Sequence, residues 1–293
     1  MDCSAIDNHE WENGTLNSIQ DILDTLASLR VRQLTQVDPT QRPFWLFRGQ
    51  PKTYNNLIPS IDRPPLDKIV DRDKKLLIER QSVELFRTTV KSFVDKQEEA
   101  LKYDISTLAL LQHSGAPTRF LDWSFSPYVA AYFATCTDSV CNDGGDGGGE
   151  IWCFEYQQYL DKASKHWGDF PNSINDKGEF DLTSAFKKDN PDDWFTCEFF
   201  EESPILRLVA QEGLFTMAAQ FGRDHAKSIK KLLDDDSKCH LYTIPSDKKL
   251  KSKLRQVLRD KFGIWHGMLY PDTTGSAEGI KEVLQDEVRK ILP

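Results

Sequence analysis

"LALLQHSGAPTRFLDWSFSPYVAAYFA", residues 108–134, runs from a helix end through a short strand into a helix start. Leu108 and Leu111 fall at helical spacing behind Asp104, which suits an N-cap. Residues 117–123 read as a strand whose alternation puts Thr118, Phe120 and Asp122 on one side, Arg119, Leu121 and Trp123 on the other. Ser126 then offers an N-cap hydroxyl, and Pro127 occupies the first helical position, where its missing N–H costs nothing. Helix, strand and helix in one run predict an α+β fold.

Upstream, "RPFWLFRGQPKTYNNLIPSI" (42–61) holds an apolar, aromatic run that reads as a buried strand. It ends at Arg48, because Gly49-Gln50-Pro51 makes a turn. The arginine therefore stands at a strand mouth, facing a cleft or a buried carboxylate. Leu16, Ile19, Ile22, Leu23, Leu26 and Leu29 mark an amphipathic helix before it, and 73–97 carries a second. Downstream, 143–149 (DGGDGGG) is a flexible loop and no P-loop, for no Gly-Lys-Ser/Thr follows. EIWCFEY and HLYTIP read as strands, 247–262 as a basic-faced helix and 275–292 as a last amphipathic helix. The run 157–202 is acidic, aromatic and without clear periodicity, and reads as an irregular insertion with room for short helices. With no repeat and no long linker, the chain is expected to form one domain: a central, mainly antiparallel sheet flanked by helices, with a helical segment at 1–39.

The composition, 28% charged and 39% hydrophobic with a net charge of -9, is that of a globular chain. It speaks against a general nucleic-acid coat or an anionic membrane as main partner. No apolar run reaches membrane-spanning length, and the acidic start is no secretory signal, so a cytoplasmic protein is expected. The six cysteines lack a Cys-x-x-Cys pair or a zinc spacing, so thiols and no metal are expected.

Gln112, His113, Thr118, Arg119, Asp122, Trp123, Ser124 and Ser126 crowd the ends of rigid elements, where function concentrates. Asp122 also fits a cap or an ion pair with Arg119 or Arg48, and His113 fits a helix-end histidine bonding a carbonyl. No serine or cysteine here stands in a nucleophile elbow.

"WLFRGQ", the 108–134 stretch, "LRLVAQEGLFT" and "YPDTTGSAEGIKEVL" together resemble the FRG domain family, named for its Phe-Arg-Gly motif, here Phe47-Arg48-Gly49. The resemblance runs over about 40–285, around the acidic insertion. Ser114 stands where the family commonly has an aromatic, and Phe120 where an aliphatic is usual. The order of elements is in turn similar to ADP-ribosyltransferases of the Arg-Ser-Glu type, which implies a split sheet and NAD as substrate. On that analogy Arg48 is the first-motif arginine, Asp122-Trp123-Ser124 through Ser126 stands for the serine strand, and Gln211-Glu212 supplies the third motif. Catalysis would fall to Arg48, Asp122, Gln211 and Glu212. Nucleotide contacts would come from Arg48, Gly49, Gln50, Gln112, His113, Thr118, Arg119, Trp123, Ser124, Ser126 and Phe215, with Trp123 or Phe215 stacking on nicotinamide. The family pattern matches Gln211 better than Glu212, which leaves three outcomes: a weak activity, none, or one carried by Asp122. Three readings stay open: ADP-ribosyl transfer from NAD to a protein or nucleic acid, as a toxin or phage-defence effector; NAD hydrolysis; and a non-catalytic binding module.

Overall fold

The computed structural model describes residues 11–35, 45–90, 101, 104–136, 147–167, 194–197, 206–218 and 220–291. Seven strands form one open sheet: β1 (Glu12–Thr15), β2 (Trp45–Gln50), β3 (Phe120–Ser124), β4 (Gly149–Glu155), β5 (Trp194–Cys197), β6 (Gly213–Ala218) and β7 (Cys239–Ile244). Their order is β1-β7-β4-β2-β3-β6-β5, and every neighbouring pair is antiparallel except β1 with β7. The helices are α1 (Ile19–Thr35), α2 (Arg72–Val90), α3 (Asp104–His113), α4 (Pro127–Thr135), α5 (Tyr156–Trp167), α6 (Leu206–Ala210), α7 (His225–Leu233), α8 (Lys248–Phe262), α9 (His266–Leu269) and α10 (Thr273–Ile291). This is a single α+β domain.

Alternation along β2 sorts the core into layers. Trp45 and Phe47 pack on one face with Ile22, Leu26 and Leu29 of α1, Tyr128 to Ala134 of α4, and Leu254 and Leu258 of α8. Leu46 packs on the opposite face with Trp123, Trp152 and Phe154 under α5 and α7. Phe120, Phe215 and Met217 form a third cluster with Leu76 and Val83 of α2 and Leu108 and Leu111 of α3. Phe47 lies opposite Ser124, so the first and third clusters share a face of the sheet. They divide that face between them, and the division falls at β2 and β3.

The ladder is weakest there. β2 pairs with β4 from Trp45↔Glu155 to Gln50↔Glu150, and β3 with β6 from Phe120↔Met217 to Ser124↔Gly213. Between β2 and β3 a single pair, Phe47↔Ser124, holds the register. The described strands nonetheless make one sheet rather than two.

Several sequence expectations need correction. Within the expected N-terminal helical segment, the described residues include a strand as well as a helix: β1 extends the sheet, and α1 buries its apolar face in the main core. The run 157–202 opens with an ordered amphipathic helix, whose Tyr159 and Ala163 are buried beside Phe154, and β5 adds an edge strand. Its apolar positions are widely spaced among polar ones, which hid the helical period. The remainder of that run, most of the glycine loop and the end of the 73–97 helix lie outside the described residues. Cys153 and Cys239 are free and buried, whereas Cys136 is disulfide-bonded, against the expectation of six thiols. Spacing alone does not say which sulfurs a fold brings within bonding distance. No described helix is long and apolar enough to cross a membrane.

Candidate functional site

Alternation sends the Arg48 side chain toward the face of Leu46 and the Asp122 side chain toward the face of Phe120. They still meet. Arg48 Nη1 donates to the backbone carbonyl of Asp122 at 2.7 Å and lies 3.8 Å from its Oδ2. Such a reach between strands is open only where the ladder between them lapses. Arg48 is mostly buried, and the Asp122 side chain is 49% exposed, so the carboxylate is the group that faces water.

A chain of hydrogen bonds sets the orientation of Asp122. Phe120 N donates to Thr118 Oγ1 at 3.1 Å, Thr118 Oγ1 donates to Gln112 Oε1 at 2.5 Å, and Gln112 Nε2 donates to Asp122 Oδ2 at 2.8 Å. The amide of Gln112 thus turns its donor end to the carboxylate because its acceptor end is occupied. On the opposite face, Trp123 Nε1 donates to Thr216 Oγ1 at 2.8 Å, and that hydroxyl lies 3.1 Å from His225 Nδ1. Burial, and then the charge of Arg48, hold the His225 imidazole neutral.

The third-motif segment comes to the same place from α6 and β6. Ser124 Oγ donates to Gln211 O at 2.7 Å and accepts from Ser126 N at 2.9 Å. Gln211 Nε2 donates to Leu269 O at 3.1 Å, so its side chain ties β6 to α9. Glu212 is exposed in a left-handed turn at φ 47°, its carbonyl accepting from Phe125 N. Ser126 caps α4, accepting from Val129 N. Gln50 donates to Glu150 Oε2 at 2.9 Å and to Asn56 O at 3.2 Å.

Three candidates fall away from this place. Arg119 is buried and bidentate to Glu79 of α2, with its guanidinium 4.1 Å over the ring of Phe221. A bend at Arg119 precedes β3, so the alternation that put it beside Trp123 does not extend to it. Trp123 and Phe215 are core residues, the first edge-on to Phe154 and the second stacked on Phe120 at 4.9 Å. Neither shows a ring face to solvent, so neither can stack on a nicotinamide. Both lie on strands covered by helices on each side, which the apolar character of their neighbours permits but does not announce.

Around His113 and Tyr270, both of which feel the charge of Asp122, stand residues that the sequence reading did not single out. Arg207 Nη1 donates to His113 O at 2.6 Å and lies 3.7 Å over the Tyr270 ring, against which His266 stacks at 4.0 Å. Burial, then Arg207, lower the pKa of both His113 and His266 to about 4. Helical spacing was the available signal, since Arg207 precedes Gln211 by one turn and His266 precedes Tyr270 by one turn. No group of three or more His, Cys, Asp or Glu among the described residues could hold a metal ion.

Residues 44–142 match the family model of the FRG domain. That segment is an FRG-domain match. No curated protein and no solved structure matches it. The FRG match takes in β2, β3 and α4, hence Arg48, Gln112 and Asp122, and ends before Gln211. Within the matched segment the three motif residues have separate tasks. Phe47 fills the main core, and Arg48 spans the gap between strands. Gly49 lets α4 lie directly on β2, since a Cβ there would sit 1.9 Å from Ala130 O.

Proposed function

We propose that the protein is a nucleotide-using enzyme that takes NAD at the junction of β2 and β3. The observation that carries this reading is the meeting of Arg48 and Asp122 where the ladder lapses, with the carboxylate half exposed. Breaking the bond between the ribose C1′ and nicotinamide sends its electron pair to the leaving pyridine nitrogen and builds positive charge on the ribose. A fixed carboxylate stabilises that charge, and a preorganised one does so without reorientation. Asp122 fits the task because Gln112 and Arg48 fix it from two sides. Gln211 is bonded within the fold, and Glu212 lies on an exposed turn, so neither competes with Asp122 for the role. An acceptor nucleophile then bonds to C1′ and gives up its proton, which is ADP-ribosyl transfer in a toxin or defence effector. Water in the same place makes the protein an NAD glycohydrolase.

One observation favours the alternative of a non-catalytic module. Gln50, Gln112, Thr118, Ser124 and Gln211 all bond partners inside the protein, as a network that only closes the sheet would have them do. Release of free nicotinamide from NAD by the purified protein decides between them. Enzyme and Asp122→Asn are compared: release by the first and not by the second supports catalysis, and no release by either leaves the module.

A further inference from the structure

The last helix, α10, faces the opposite way from an ordinary amphipathic helix, which sinks its apolar side into the core. Here the polar and small side goes in. Gly275 and Gly279 lie against Tyr270, Trp265 and Gly267. Glu282 accepts from the Tyr132 hydroxyl at 2.8 Å, and Asp286 accepts from Arg255 Nε at 3.1 Å, both carboxylates being buried. Ile280, Leu284 and Val288 follow one another at helical spacing on the outer side and are left 56%, 61% and 51% exposed. Three large apolar side chains in one row are a patch rather than scattered surface residues, and a patch of this kind marks an interaction surface.

We propose that α10 is the contact of a homodimer, packing antiparallel against α10 of a second copy across a two-fold axis at Leu284. The row itself points to this occupant. A two-fold axis sets residues equally far before and after its centre against one another. Ile280 and Val288, four before and four after, then meet across the axis, and Leu284 meets its own copy. The charges beside the row obey the same rule, for Lys281 lies three residues before the centre and Glu287 three after. Antiparallel pairing therefore puts a lysine of one copy beside a glutamate of the other at both ends, whereas parallel pairing in register sets like charges together. Lys281 already pairs with Glu278 at 3.2 Å, and its ammonium has donors to spare for a second carboxylate. A single helix pair offers less than the roughly 800 Å² per partner of a standard interface, so a Kd on the order of 10 μM is expected.

Sedimentation velocity of the full chain from about 1 to about 200 μM brackets that value and tests the dimer. Wild type passes from monomer to dimer over the range. Leu284→Asp changes an exposed position, so it keeps the wild-type circular dichroism spectrum, yet it weakens association by roughly a hundredfold or more and stays monomeric. Lys281→Glu weakens the dimer by roughly fivefold, and Lys281→Glu with Glu287→Lys restores it, as antiparallel pairing requires. A wild type that is monomeric at every concentration overturns the proposal and leaves the row to another partner or to a segment of the same chain. A dimer undiminished in Leu284→Asp overturns α10 as its contact. A charge exchange that fails to restore the Lys281→Glu loss overturns the antiparallel arrangement.

Discussion

Arg48 donates to the Asp122 carbonyl at the junction where β2 and β3 share only the Phe47↔Ser124 pair. The guanidinium thus stands where a further ladder bond would otherwise run, and it brings its charge to within 3.8 Å of a half-exposed carboxylate. A backbone carbonyl at the edge of a core needs a donor, and an arginine can supply one across a gap that a neighbouring strand no longer fills.

Replacing Arg48 tests both duties. Arg48→Met removes the donor and the charge together, and it is expected to cost about 1.5–3 kcal/mol of stability. Arg48→Lys keeps a charge but not the fork, so it should melt nearer wild type while losing any nucleotide turnover. Urea unfolding alongside nicotinamide release separates the two effects. An Arg48→Lys enzyme with full turnover would leave Arg48 as a sheet closure alone.

Gly49 supplies a second test, this time of the fold. The missing side chain admits α4, and Ala130 O and Ala134 N are both backbone atoms that cannot rotate away from a new methyl group. Gly49→Ala should therefore push α4 off β2 and destabilise by about 1–3 kcal/mol or more. Thermal melting measures it, and a neutral result would mean that α4 stands farther from the strand than 1.9 Å implies.

Arg119 and Glu79 predict an effect on stability without one on the site. Both are buried and bonded to each other, so removing one leaves the other charged and unmatched. Glu79→Gln should cost about 3–5 kcal/mol, whereas Glu79→Leu with Arg119→Met should recover most of that loss. Nucleotide affinity of the double variant should equal that of wild type. A selective loss of affinity would return Arg119 to the site.

The strands and the Ser126-Pro127 helix start were legible because each rests on local chemistry, alternation and capping, whereas β2 runs on through Gly49 and Gln50, where a turn was expected. What stayed hidden depends on which elements meet. Arg119 and Asp122 look alike in sequence, two charges on one short strand, and only the position of α2 makes Arg119 a core residue. Trp123 and Phe215 read as stacking platforms until α5, α7, α2 and α3 cover them. Arg207 lies inside a quoted motif stretch without standing out in it, His266 lies outside every one, and their elements are joined where Gln211 bonds the α9 carbonyl of Leu269.

His113 and His266 give the molecule a pH dependence whose sign can be worked out. Each has a pKa of about 4 in the fold against 6.5 for the ordinary imidazole, lowered first by burial and then by Arg207. Between those values the unfolded chain binds protons that the folded chain refuses, so stability rises with pH through this window. The contribution is present in full above about pH 6.5 and is lost as the pH falls toward 4. His225, lowered further in the same direction, adds to the slope. Melting temperatures from about pH 7 to about pH 5, above the range where most carboxylates protonate, should fall steadily. Arg207→Gln removes the second cause of the shift, so NMR titration should find both imidazole pKa values raised in that variant. His266→Phe keeps a ring on Tyr270 and loses one titrating group, and its melting temperature should fall less over the same range. An unchanged slope in His266→Phe would show that His266 already takes up its proton near the ordinary value, with its ring open to water.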